Sequence, residues 1–146
     1  MAAHSYIFVL SLALVFCAIP QATLADSGTA TYYTEYVPSS CYGFDTPGGM
    51  IAAASDEFWE GGAACGRTYS VTCTGATNLG DLHPCTGESV VVKIVDYCPA
   101  GCRGTIDLSE EAFKSIAHPA AGKIYISYDR YVYLMHDLHD CYQGQF

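Results

Sequence analysis

The 146-residue chain carries 15 acidic against 6 basic side chains, a formal charge of −9, and 51% hydrophobic residues. Six scattered cations make no basic stripe to displace counterions from phosphate, which excludes nucleic-acid partners and disfavours acidic polysaccharides and anionic lipid surfaces. The length suits one compact domain, and a neutral glycan or a receptor remains as partner.

In chain order, Ile7 to Ile19 is an almost unbroken apolar run ending at Pro20. It is too short to span a bilayer and reads as a secretory signal, with Thr23 and Ala25 at the spacing that precedes cleavage and Asp26 as the mature start. Residues 1–25 are therefore expected to be a signal peptide, and no later stretch approaches the ~20 apolar residues of a membrane helix. Cys17 leaves with the signal, and Cys41, Cys65, Cys73, Cys85, Cys98, Cys102 and Cys141 remain, an odd set. In an oxidising compartment the default for such a set is a disulfide framework, with zinc a distant alternative. Cys98-Pro-Ala-Gly-Cys102 lacks the second pair that a metal knuckle needs.

Strand patterns dominate the rest. Thr29 to Tyr33 alternates around Thr and Tyr, Tyr69 to Cys73 is short and β-rich, Ser89 to Val95 is a Val/Ile run, and Lys123 to Tyr128 alternates again. Val90 to Val95 is apolar on both faces apart from Lys93, which predicts a strand buried centrally. Pro47 to Gly49 and Gly61 to Gly62 mark loops. Ser109 caps a predicted helix that carries Glu110 and Glu111 in its first turn and Ala112, Phe113, Ile116 and Ala117 on its apolar face, ending near His118-Pro119.

The chemistry concentrates in Val91 to Phe113, where Asp96 and Asp107 flank the Cys98 and Cys102 turn. Each has a plain structural reading: Asp96 as an acceptor for turn amides near Cys98, Asp107 as an acid at the helix entry, and Thr31 as a β-favouring strand residue. Among the aromatics, Tyr32, Tyr36, Tyr42, Phe44 and Phe58 are expected in the core or its rim. Tyr33 and Trp59 are expected at the surface, Trp59 because it sits in the acidic, Gly-rich DEFWEGG segment. His136, His139 and Cys141 have a metal-like spacing but read as a polar tail; no metal and no cofactor is expected.

Seven motifs in order, GTATYY from Gly28, SSCYG from Ser39, AACGR from Ala63, VTC from Val71, CTG from Cys85, VVVKIVDYC from Val90 and GTIDLSEEAF from Gly104, resemble the plant natriuretic peptide group. That group is related to the first domain of expansins and, more distantly, to family-45 endoglucanases. The resemblance implies an all-β fold, a six-stranded double-psi β-barrel with one or two short helices, stapled by disulfides and spanning residues 26–130. It leaves 131–146 as an atypical tail. It also implies the pairs Cys41–Cys65 and Cys73–Cys85, with Cys98–Cys102 resting on local spacing and Cys141 unpaired.

By the same resemblance, Thr31, Asp96 and Asp107 match positions lining a polysaccharide groove, with Tyr33 and Trp59 as candidate stacking rings. Thr105-Ile106-Asp107 stands where expansins carry His-Phe-Asp. Family-45 enzymes place a second catalytic carboxylate directly after the first-strand aromatic pair. Thr34 occupies that position here, and Glu35, one residue on, points to the other face. Glycoside hydrolysis needs two flanking carboxyl groups, so no enzyme is expected. The leading expectation is a secreted, monomeric, apoplastic plant protein that signals in water and ion balance or stress through a cell-surface receptor, its signalling segment lying within Tyr36 to Gly66. A wall-glucan binding or loosening module and a barwin-like defence protein are the alternatives.

Overall fold

The computed structural model describes residues 25–45, 48–78, 81–99 and 102–131. The signal segment expected at 1–25 lies almost entirely outside the described residues, as do His136, His139 and Cys141. Six strands are described: β1 (Asp26–Tyr33), β2 (Ile51–Ala54), β3 (Thr68–Ala76), β4 (Ser89–Tyr97), β5 (Ile106–Ser109) and β6 (Ile124–Arg130). They close into a barrel in the order β1-β5-β2-β4-β3-β6. The pairs β1/β5 and β2/β4 are parallel and the other four are antiparallel. Closure leaves no strand edge unpaired.

Alternation sorts the side chains. Ala30, Ala52, Ala54, Val71, Val92, Ile94, Ile106, Leu108, Ile124 and Ile126 turn into one buried cluster. β4 corrects the sequence reading: Val91 is 40% exposed and Lys93 is exposed, so this strand buries one face. In a closed barrel the outer face of each strand meets solvent unless a loop covers it. The strand buried on both faces is β2, Ile-Ala-Ala-Ala, whose four residues are all inaccessible.

A short helix, α1 (Asp56–Trp59), runs into a 3₁₀ turn at Glu60–Gly62. The longer α2 (Glu110–Ile116) begins where expected: Ser109 Oγ accepts from the Ala112 amide at 3.3 Å. Its Phe113 and Ile116 are fully buried, and Phe113 meets Tyr32 at a centroid distance of 4.9 Å. Three disulfides, Cys41–Cys65, Cys73–Cys85 and Cys98–Cys102, join cysteines separated by 24, 12 and 4 positions in sequence. The first two are the pairs the resemblance implies, and the third is the one local spacing suggested.

Candidate functional site

Strand register assembles the site. Thr31 of β1 is the partner of Asp107 of β5, Asp107 is the partner of Ala53 of β2, and Ala53 is the partner of Asp96 of β4. The row exists because of a register shift between Ala52 and Ala53: Ala52 faces Ile94, yet Ala53 faces Asp96, with Val95 as the extra residue. Such a bulge re-aims the side chain that follows it. Without it Asp96 would be out of step with Asp107. The neighbouring residues Ala30, Ala52, Ile106 and Ile94 all point into the core, so the row lies on the outer wall.

Each carboxylate is held by a different neighbour. The Thr31 hydroxyl donates to Asp107 Oδ1 at 2.6 Å, and Cys98 Sγ lies 3.8 Å from Oδ2. Burial raises the Asp107 carboxyl above its ordinary range, and the Thr31 donor offsets part of that shift. Asp107 therefore does not serve the α2 amides, and its reading as a helix-entry acid is corrected. Asp96 Oδ1 accepts from the Ser40 amide at 2.8 Å, the Ser40 hydroxyl at 2.7 Å and the Tyr97 amide at 2.8 Å. It anchors the Ser39–Gly43 turn to the barrel, a partner that spacing from Cys98 did not indicate.

Tyr33 follows Thr31 on the same face of β1. Its ring meets Tyr36 edge-on at 5.2 Å, and its hydroxyl is buried with no hydrogen-bond partner among the described residues. Burial, then the negative charges of Asp96 and Asp107, push the phenol far above its ordinary range. Tyr33 is thus a half-buried ring with an unsatisfied hydroxyl near two carboxylates, where the sequence suggested a surface ring. Trp59 is likewise half-buried: it packs on the core and lies against Tyr97 at 5.2 Å and 34°. Among the described residues the most exposed aromatic is Phe44, at 81%, where core or rim was expected. A composition-based reading could not find Tyr97 or Ser40, since their roles arise from contacts 38 and 56 residues away in sequence or more.

Cys98 and Cys102 sulfurs and an Asp107 oxygen lie within 4.8 Å of one another. Both sulfurs are consumed by the disulfide, which leaves one carboxylate as a metal ligand. A second feature was invisible in sequence: a cavity of about 300 Å³ lined in part by Thr29, Ser55, Asp56, Glu57, Arg103 and Thr105.

A closed barrel with two parallel strand pairs and an acidic row on its outer wall defines the class, and residues 51–128 match the family model described as lytic transglycolase. An EG45-like domain containing protein from Citrus jambhiri is 57% identical over 118 residues, covering 80% of this chain and 90% of that protein. Expansin-B4 from Arabidopsis thaliana is 31% identical over 153 residues, covering 85% of this chain and 54% of its own length. A solved expansin from Clavibacter michiganensis is 31% identical with a TM-score of 0.59, covering 75% of this chain and 51% of that one; a mutant of it was solved in complex with cellohexaose, with a TM-score of 0.54. The chain belongs to the EG45-like domain containing proteins of plants. It spans about half the length of the expansins it matches.

Proposed function

We infer that the protein is an extracellular, non-hydrolytic module that holds a neutral β-glucan against the outer wall at β1, β5 and the end of β4. One observation carries this reading: the unsatisfied, buried Tyr33 hydroxyl beside the row Thr31, Asp107, Ala53 and Asp96. An unpaired buried donor beside fixed acceptors suits a ligand rich in hydroxyl groups. The charge of −9 selects for a neutral polymer over an acidic one. The likeness to an expansin solved with cellohexaose supports the same class of ligand. The strand order, with its two parallel pairs, supports a barrel of the double-psi type spanning residues 26–130. Three disulfides and the apolar Ile7 to Ile19 run support secretion.

Hydrolysis is disfavoured by the same geometry. Asp96 Oδ1 already serves three donors, and the position after the Tyr32-Tyr33 pair is Thr34. Thr34 thus supplies no carboxylate across the bond from Asp107, and Asp96 is committed through Oδ1 to holding the Ser39–Gly43 turn. Sedimentation of the purified protein with insoluble cellulose, with reducing sugar measured in the supernatant, tests both halves. Retention without sugar release is expected. A protein left wholly in solution removes the binding reading, and sugar release removes the non-hydrolytic one.

The apoplastic signal is a second reading, favoured by the exposed apolar side chains Val37, Tyr42, Phe44 and Met50 within the Tyr36 to Gly66 segment. Its test is saturable binding to plant cell membranes that Phe44→Ser weakens; binding unchanged in that variant argues against it.

A further inference from the structure

The cavity beside the acidic row lies on the same wall. Thr29 precedes Thr31 by two residues on β1, Thr105 precedes Asp107 by two, and Ser55 follows Ala53 by two. Two residues along a strand return to the same face after about 6.6 Å. The three positions are themselves in register: the Thr105 amide donates to Thr29 O at 2.8 Å, the Thr29 amide donates to Thr105 Oγ1 at 3.2 Å, and the Ser55 amide donates to Thr105 O at 3.3 Å. Thr29, Ser55 and Thr105 all line the cavity, Thr105 and Ser55 lying just beyond the ends of β5 and β2, so its floor adjoins the acidic row. Glycine brings the cavity against the acidic row: a Cβ on Gly104, which lines the cavity, would lie 3.1 Å from Thr31 Oγ1.

The walls supply charges of both signs. Tyr97, which lies against Trp59, donates its hydroxyl to Asp56 and so fixes that carboxylate at the rim. Glu57 and Arg103 also line the cavity and enter no ion pair among the described residues. Hydroxyls on the floor with a free carboxylate and a free guanidinium on the walls match the donors and acceptors of one sugar ring. About 300 Å³ is the lower end of ligand cavities, enough for one ring and too little for a chain crossing it.

Resting on the glucan reading above, the geometry points to a subsite for a neutral single-sugar branch: the backbone of the glucan lies over the Thr31, Asp107 and Asp96 row and a side residue drops into the Thr29, Thr105 and Ser55 cavity. The preferred ligand is then a branched neutral glucan over an unbranched one. Isothermal titration of the mature protein with a linear cello-oligosaccharide and with the same backbone carrying single xylosyl branches tests it, beside Glu57→Gln and Arg103→Ala. The branched ligand is expected to bind about tenfold tighter, the scale of one hydrogen bond to a charged group. That preference should shrink by at least about threefold in each variant while affinity for the linear ligand stays unchanged. Equal affinity of the two ligands for the wild type, or a preference kept in both variants, overturns the subsite and leaves the groove standing. Binding of neither ligand overturns the groove itself and the subsite with it.

Discussion

Replacing Thr31 with Val removes the one donor that holds Asp107 while keeping shape and strand preference. Thr31 is 9% exposed and its hydroxyl lies 2.6 Å from the carboxylate, so Oδ1 loses a partner that water replaces poorly. Leaving such an acceptor unsatisfied costs about 1–3 kcal/mol. Taking about 2 kcal/mol, a domain of this size should melt about 8–16 °C lower at pH 7. The pH dependence carries a sign. Burial raises the folded-state carboxyl, so the favourable contribution of protonated Asp107 is complete below the unfolded value near pH 4 and is lost as pH rises through the folded one. The Thr31 donor favours the charged form, and its removal raises that carboxyl further. The deficit of Thr31→Val should therefore be small at pH 3 and grow towards pH 7. Asp107→Asn removes the charge and keeps an acceptor, so at pH 7 it should be at least as stable as the wild type. Thermal unfolding of the three proteins at both pH values provides the assay. A loss below about 0.5 kcal/mol at pH 7, or equal losses at pH 3 and pH 7, would refute a charge-assisted bond at this position.

Tyr33→Phe removes a buried hydroxyl that has no internal partner, so stability should hold or rise by up to about 1 kcal/mol while affinity for cello-oligosaccharide falls about threefold to tenfold. A clear drop in stability with unchanged binding would mark Tyr33 as structural. Converting each cystine to a pair of serines should destabilise in order of loop length. Closure entropy gives ~3.4 kcal/mol for Cys41–Cys65, ~2.8 for Cys73–Cys85 and ~1.9 for Cys98–Cys102, and denaturant midpoints would show a different order if native strain dominates.

Alternation made β1 and β6 legible in the sequence, β-favouring composition made β3 and β4 legible, and a Ser cap followed by two glutamates made α2 legible. β2 and β5 were not, because four residues such as Ile-Ala-Ala-Ala show no period that separates strand from helix. The burial of β4 was misjudged for a related reason. Val91 reads as core by residue type, but the barrel turns it outward at 40% exposure. Thr31, Asp96 and Asp107 were found as residues through resemblance; their alignment in one row depends on the skipped Val95, which leaves no compositional trace. The cavity at Thr29, Ser55 and Thr105 was missed because its floor comes from three segments distant in sequence and joined only by hydrogen bonds.

The central claim is that the outer wall at β1, β5 and the end of β4 holds a neutral β-glucan. Titrating the isotope-labelled mature protein with cellohexaose and following its backbone amide resonances tests this most directly. The account predicts saturable shifts centred on Thr31, Tyr33, Ala53 and Asp107, with Ser89 and Val91 on the far stretch of β4 unmoved. Absence of shifts, or shifts confined to the Tyr42 and Phe44 turn, would contradict it.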